Sequence, residues 1–499
     1  MPLWLAIALP SLPLQLAARA LDRAAPLVIV DGPPVRRQVA FCNDAAAACG
    51  IAPGLPLAAA QALARELIAV ERDREQEHAA LQELAAWAYQ FSPQIAVRAA
   101  GLLLEVGASL RLFGGQAPLH RRIAHGLRAL GYRAAFGYAA TAQAAWWIAA
   151  ARAGGQCAAD APDAAQLPAA IAPLPLRLAD WDESVIEALD ALGLATFGDL
   201  LALPRDQVNR RFGVALLTDL DRALGRLPEL QPPYTPPASF RARIELPAPV
   251  DDAARLLLPA RRLLHGLEGF LRGRGAGTTE LRFTATHEVR RPQPLPPTSF
   301  VLTLAAPERD GERLARLLAE RLTRVQLPAP AVALALAVER LLPYAPRPAS
   351  LLPPAPQQAS GTGWLQLAEI LHARFGSARV FQLQCADDHR PECAYRIVPL
   401  AVEAAAAPAP AHVTAPRPLL LLQRPVPLTA RTEIPEYGGL LRLLAGPERI
   451  ESGWWAHGNP HRTAVFRDYF IARNARGQTL WIFRDLAAPR QWFLHGVFA

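Results

Sequence analysis

The chain is 499 residues long, 52% hydrophobic and 19% charged, with a formal net charge of +8 and a pI near 9.7. That length exceeds one hydrophobic core and calls for three or four units at about 100–200 residues per domain. The apolar content excludes a mainly disordered protein, although 48 prolines promise genuine linkers.

Every strong cation is an arginine; there is no lysine. A basic surface of planar guanidinium forks suits phosphate, and a GC-rich genome that writes Arg for Lys accounts for part of the bias. The five cysteines, Cys42, Cys49, Cys157, Cys385 and Cys393, are scattered and odd in number, which fits a reducing cytoplasm better than a disulfide framework. The opening "MPLWLAIALPSLPLQLAARA" imitates an export signal, but it lacks a charged start and Pro10 and Pro13 interrupt the apolar run. No later stretch is long and apolar enough to predict a membrane span.

In chain order, "LWLAIAL" predicts a strand, "PLQLAARALDRA" a helix and "PLVIV" a second strand. Small residues then surround turns at Gly50 and Gly54, and a helix is expected from about Arg72 to Tyr89. "SPQIAVRAAGLLLEVGASLRLFGG" reads as a loop, one buried strand and a turn, and its only acid is Glu105. Two helices flank the strand "YRAAFGYAA". From Ala179 to Gly225 the pattern is helical, with "LDALGLATFGDL" as a Gly-containing hairpin. "RARIELPAPV", "TTELRFTATHEV" and "SFVLTLAAPE" are strands of a smaller α/β unit, with helices at Asp252–Arg272 and Asp310–Val325. A proline-rich linker precedes the helix "WLQLAEILHARFG", and a Trp-rich β-like segment closes the chain.

This order resembles the Y-family translesion DNA polymerases over about the first 340 residues. "CNDAAAACGIAPGLPLAAAQAL" is similar to the family's fingers pattern A-N-Y-E-A-R-x-x-G-V-x-x-G-x-P, with Asn43, Gly50, Gly54 and Pro56 in register. "FSPQIAV…LLLEV" resembles its palm stretch, and "ALGLATFGDLLALPRDQVNRRFG" its thumb. The resemblance implies an α+β multidomain right hand: palm and fingers at 1–165 (fingers about 26–75), thumb at 166–240, little finger at 241–342, linker at 343–362 and a C-terminal partner-binding region at 363–499.

The family's polymerases hold two metal ions with three carboxylates. Here those positions fall on Ala8, Ala100 and Gly101. Glu105 has the right parity but lies four residues on, roughly 13 Å along a strand. The triphosphate-gripping tyrosine and arginine fall on Asp44 and Ala47, and two lysine positions on Ala142 and Trp146. A methyl group and backbone carbonyls do not replace three anionic ligands for a hard dication, so no catalytic metal or other cofactor is expected. The rival expectation is an active low-fidelity polymerase with an atypical metal site.

Lost acids combined with a long C-terminal extension, including "PERIESGWW", "RDYFIA" and "WFLHGVFA", resemble the ImuB family of bacterial mutasome operons. That resemblance implies a noncatalytic adaptor in the response to DNA damage. It would join DNA to the sliding clamp, a RecA-like accessory protein (ImuA or a SulA-like relative) and an error-prone DnaE-type polymerase.

Four groups of residues are expected to do this work. The hairpin turn at Gly193, Leu194 and Thr196 offers backbone N–H groups and a helix N-terminus to DNA phosphate. Arg272, Arg274, Arg282, Arg290 and Arg291 supply sequence-independent backbone contacts. Ser350, Leu351 and Leu352, in "RPASLLPP", are the candidate clamp-binding peptide, although the glutamine and aromatic of such peptides are missing. Trp454, Trp455, Trp481 and Trp492 are candidate partner anchors or the core of a small β unit, with Arg467, Asp468, Arg484 and Asp485 as rim charges. "CADDHRPEC" and "HGNPH" lack the spacing of a zinc site.

Overall fold

A computed structural model describes residues 2–18, 25–288, 295–344, 367–376, 379–386, 388–399, 416–431, 433–452, 464–487 and 489–498. The chain divides into two units, Met1–Arg374 and Phe375–Ala499. Among the described residues no helix is long and apolar enough to cross a membrane.

The first unit opens with β1 (Trp4–Ala8), α1 (Leu12–Ala17), β2 (Leu27–Asp31), β3 (Gln38–Cys42), α2 (Asp44–Ala48), α3 (Leu57–Leu63) and β4 (Ile68–Glu71). There follow α4 (Arg74–Ala88), β5 (Ile95–Arg98), β6 (Gly101–Glu105), α5 (Leu110–Phe113), α6 (Gln116–Ala129), β7 (Ala135–Ala139) and α7 (Ala142–Ala153). Two sheets result, one ordered β5-β6-β1-β7 and a smaller one ordered β3-β2-β4. The four-stranded sheet is covered on both faces, which explains why its strands read as nearly continuous apolar runs. Leu5 and Ile7 of β1 face α4 and α6, while Ala6 and Ala8 face α7. The α7 side is built from small residues because the helix lies hard against the sheet. A Cβ on Gly137 would stand 2.4 Å from the Ala145 carbonyl oxygen.

The expected single strand across "VRAAGLLLEV" is instead a hairpin. Ala99 and Ala100 form a turn, and β5 pairs with β6 from Ile95↔Leu104 to Arg98↔Gly101. The sequence reading missed this turn because neither alanine carries the Gly, Asn or Asp signal of a tight reversal.

A helical run follows: α8 (Leu167–Ile171), α9 (Glu183–Asp190), α10 (Phe197–Leu201), α11 (Arg205–Phe212) and α12 (Val214–Ala223). Its core is Phe197, stacked on Trp147 of α7 with ring centroids 4.2 Å apart. Next come β8 (Phe240–Val250), α13 (Leu257–Gly273), β9 (Ala276–His287), β10 (Thr298–Glu308), α14 (Gly311–Leu322), β11 (Ala331–Val338) and the short β12 (Leu342–Pro343). Here the sheet order is β10-β9-β11-β8, with α13 and α14 on one face. Trp87 of α4 fits between α6 and α13 because Gly126 and Gly269 present no side chains; a Cβ on either would come within 2.3 Å of the indole. Helix α15 (367–375) heads the C-terminal region in sequence, but its contacts lie with the unit before it. Arg313 of α14 bridges Glu308 at 2.7 Å and also binds Glu369 of this helix.

In the second unit, β13 (Phe381–Cys385) pairs with β14 (Tyr395–Pro399). Strands β15 (Leu420–Arg431), β16 (Ile434–Glu436), β17 (Arg442–Ser452), β18 (Val465–Arg473), β19 (Thr479–Asp485) and β20 (Trp492–Val497) form a sheet ordered β16-β15-β20-β19-β18-β17. Both of its faces are apolar. Trp492 packs with Leu428 and Ile482, while Trp481 packs with Tyr469 and Phe483.

Candidate functional site

The antiparallel register places Ala8 opposite Gly101 and next to Ala135, so one row across the sheet reads Arg98, Gly101, Ala8, Ala135. Ala8 and Gly101 are therefore neighbours, with Ala100 in the adjoining turn, and none carries a carboxylate. Gly101 is also sterically closed. A Cβ there would lie 2.0 Å from the Ile7 carbonyl oxygen, so an acidic side chain enters only if β1 moves.

Glu105 sits at the far end of the same strand pair, opposite Trp4. Its Oε1 accepts from the backbone N–H groups of Leu3 at 3.1 Å and Gly107 at 2.9 Å, a local structural task. One carboxylate reaches this end of the sheet that sequence reasoning missed, Glu229 from the segment after α12. It binds Arg98 at 2.9 Å and caps the start of α7 by accepting from the Gln143 N–H at 3.1 Å. A single carboxylate already paired with a guanidinium does not make a dication site. Among the described residues no three His, Cys, Asp or Glu side chains converge as a metal site.

Asn43, in register with the family's asparagine, is a structural joint. Its side chain caps α2 by accepting from the Ala46 N–H, accepts from the Leu27 N–H and donates to the Ala25 carbonyl. Asp44 and Ala47 lie exposed on the first turns of α2. Ala142 and Trp146 on α7 are buried, so no cation stands at either position.

The helical hairpin forms where expected, but its donors are occupied. Asp199 Oδ2 accepts from the backbone N–H groups of Ala195 (3.1 Å) and Thr196 (2.9 Å), and Thr196 Oγ1 caps α10 in return. The N–H groups of Leu192, Gly193, Leu194, Phe197 and Gly198 bond backbone carbonyls. These hydrogen bonds hold the Asp199 carboxyl below the usual carboxylate range, the Thr196 N–H first among them. In this conformation a phosphate meets a carboxylate and finds no free N–H group.

The arginines divide. Arg274 is structural: its guanidinium lies over the Phe270 ring at 5.0 Å and donates to the carbonyls of Pro236 and Pro237. That corrects its assignment to DNA, because the side chain is committed to holding the connecting segment. Arg272 is exposed at the end of α13 and bridges Glu268 at 2.5 Å. Arg282 stands on the sheet face opposite the helices, and the register brings Arg241 and Arg243 onto that face. The rows read Arg241, Ala337, Arg282, Val301 and Arg243, Ala335, Thr284, Ser299, so small residues lie between the guanidinium groups. Each arginine has a neighbouring glutamate: Glu339 at 3.3 Å for Arg241, Glu245 at 2.8 Å for Arg243 and Glu280 at 3.3 Å for Arg282. Exposed pairs of this kind are worth little and yield readily to a phosphate. Sequence reasoning missed Arg241 and Arg243, although the alternation in "FRARIEL" sets both opposite the buried Phe240 and Ile244.

In the second unit Trp481 and Trp492 are core, 2% and 7% exposed, which corrects their reading as docking anchors. Strand alternation in a sheet with two apolar faces buries both. Arg467 is likewise not a rim charge: it is mostly buried, bridging Glu392 at 2.9 Å and bonding Tyr469 at 3.1 Å. Asp468 is buried and bound to Arg449 at 2.8 Å. Arg290, Arg291, Ser350, Leu351, Leu352, Trp454 and Trp455 lie outside the described residues.

Residues 13–150 match the impB/mucB/samB family, so this part of the chain is Y-family polymerase-like. Similar solved structures include an insertion ternary complex of Dbh DNA polymerase, 15% identical with a TM-score of 0.40 over 67% of this chain and 98% of that one. DinB from Sulfolobus solfataricus is 16% identical with a TM-score of 0.38 over the same shares. Two relatives from Caulobacter vibrioides, each called Protein ImuB, are 34% identical over 481 residues, 90% of this chain and 100% of theirs. The chain belongs to the ImuB family.

Proposed function

We propose that this protein is a noncatalytic adaptor in DNA-damage-induced translesion synthesis and mutagenesis. It holds primer–template DNA through backbone charge and brings an error-prone DnaE-type polymerase, the sliding clamp and an ImuA or SulA-like RecA-related protein together. The carrying observation is the Ala8–Gly101 register pair, which has no carboxylate and no room for one at Gly101. On this reading the four-stranded sheet is the palm, β2–β4 with α2 and α3 the fingers, α8–α12 the thumb, and β8–β12 with α13 and α14 the little finger. Arg241, Arg243 and Arg282 face the duplex, and Ser350, Leu351 and Leu352 remain the proposed clamp peptide.

Primer extension by the purified chain with magnesium or manganese is the test. No incorporation is expected, while the same preparation binds primer–template DNA. Incorporation that disappears when Glu105 and Glu229 are both changed to Gln would establish an atypical metal site and end the adaptor reading. A clamp pull-down with Leu351→Ala and Leu352→Ala is expected to lose the clamp; unchanged capture would remove the proposed peptide.

A further inference from the structure

A second basic concavity lies on the other side of the four-stranded sheet from Ala8. It is a cavity of about 590 Å³ between α4, α6 and α13, with Arg309 at its edge. Five nitrogen bases line it, Arg122, Arg272, Arg309, His125 and His265, and no acidic side chain does. Two of the guanidinium groups rest on rings, Arg122 over Phe113 at 5.5 Å and Arg309 over Tyr344 at 4.2 Å. Neither has a carboxylate partner among the described residues. Arg272 is shared with Glu268, which also lies 3.7 Å from His265 Nδ1. The other ring nitrogen, His265 Nε2, is buried with no hydrogen-bond partner among the described residues.

The buried His265 nitrogen is costly to leave without a partner, and the exposed Arg122 and half-buried Arg309 add positive charge that no carboxylate among the described residues offsets. Planar forks around a concave, partly aromatic wall match phosphate oxygens in pairs, and the low-dielectric wall strengthens each interaction. The volume is many times that of one phosphate group. We propose that this cavity binds clustered phosphates, from either the phosphate chain of a free nucleotide or adjacent phosphodiesters of a nucleic-acid strand. It is separate from the sheet face proposed for the duplex.

Calorimetry on the full chain tests this with inorganic tripolyphosphate, ATP and a short oligothymidylate as probes. Tripolyphosphate is expected to bind the wild type. Arg122→Ala with Arg309→Ala should weaken it about tenfold or more, because two charge-assisted donors are removed. Arg122→Lys with Arg309→Lys, which keeps charge but not the forks, should fall between. A matching decrease for ATP with oligothymidylate unchanged assigns the site to nucleotides; a matching decrease for the oligonucleotide assigns it to a strand. Changing Arg241, Arg243 and Arg282 should leave tripolyphosphate binding intact, so this site and the duplex face fail separately. Absent binding to the wild type, or equal binding to the wild type and the alanine variant, overturns the proposal.

Discussion

Ala8 and Gly101 stand opposite each other on adjacent antiparallel strands, and the Ile7 carbonyl oxygen lies 2.0 Å from where a Gly101 Cβ would be. The strands approach closely because nothing separates them at that row. Gly101→Ala is therefore expected to destabilise the first unit by about 1–3 kcal/mol through overpacking, read from urea unfolding. The combined Ala8→Asp, Ala100→Asp, Gly101→Glu variant should also fail to extend a primer, because the acid at 101 displaces β1 rather than lining a site. Metal-dependent extension by that variant would show the pocket to be poised for chemistry.

DNA affinity should depend on the sheet face and not on Arg274. Changing Arg241, Arg243 and Arg282 together to Gln is expected to weaken binding to every sequence alike. The slope of log K against log salt should also fall by roughly 0.9 for each phosphate no longer neutralised. Arg274→Ala should lower stability, since it releases the carbonyls of Pro236 and Pro237, and leave the slope unchanged. Anisotropy across a salt series separates the two.

At the hairpin, Asp199 gives a sign that distinguishes a DNA contact from a packing turn. Its carboxylate holds the Ala195 and Thr196 N–H groups where a phosphate would sit. If the turn lies on DNA, Asp199→Asn removes a repulsive charge and tightens binding, most visibly at low salt. Gly193 has φ +73° and open space around its Cβ position. Gly193→Ala therefore costs about 1 kcal/mol of backbone strain without a clash. Weaker or unchanged binding by Asp199→Asn would remove the hairpin from the interface.

Much of this was legible in the sequence, for identifiable reasons. Helices were found where caps and apolar spacing agreed, as in α4 with Asp73 accepting from the Gln76 N–H and α14 with Asp310 accepting from the Arg313 N–H. The Ala99–Ala100 turn was missed because neither alanine carries a turn signal, although the strands it joins pair with each other directly. Arg274 was misassigned because composition does not separate a guanidinium bonding two carbonyls from one facing solvent. Trp481 and Trp492 were ambiguous because one alternation describes a core face and a docking face equally well. The Arg98–Glu229 pair joins positions 131 residues apart, and no local pattern announces it.

The C-terminal unit should weaken in mild acid through one histidine. His495 is 1% exposed; its Nδ1 lies 2.8 Å from the Tyr469 hydroxyl, and its ring is stacked near Trp481. Burial pushes its pKa down to about 4, against the opposing pull of Glu392. The ring is neutral in the folded protein at neutral pH, where the hydroxyl can donate to it. Once the chain unfolds, the ring regains an ordinary value near 6.5 and takes up a proton the folded state refuses. The unfolded state thus binds more protons between about pH 6.5 and about pH 4, so stability is full above that window and is lost as pH falls through it. Unfolding midpoints of this unit should drop across the window in the wild type, and the drop should be shallower in His495→Asn, whose amide does not titrate. Parallel pH profiles for the two proteins would place the acid sensitivity elsewhere, with the carboxylate of Asp468, held down by Arg449, the next group to replace.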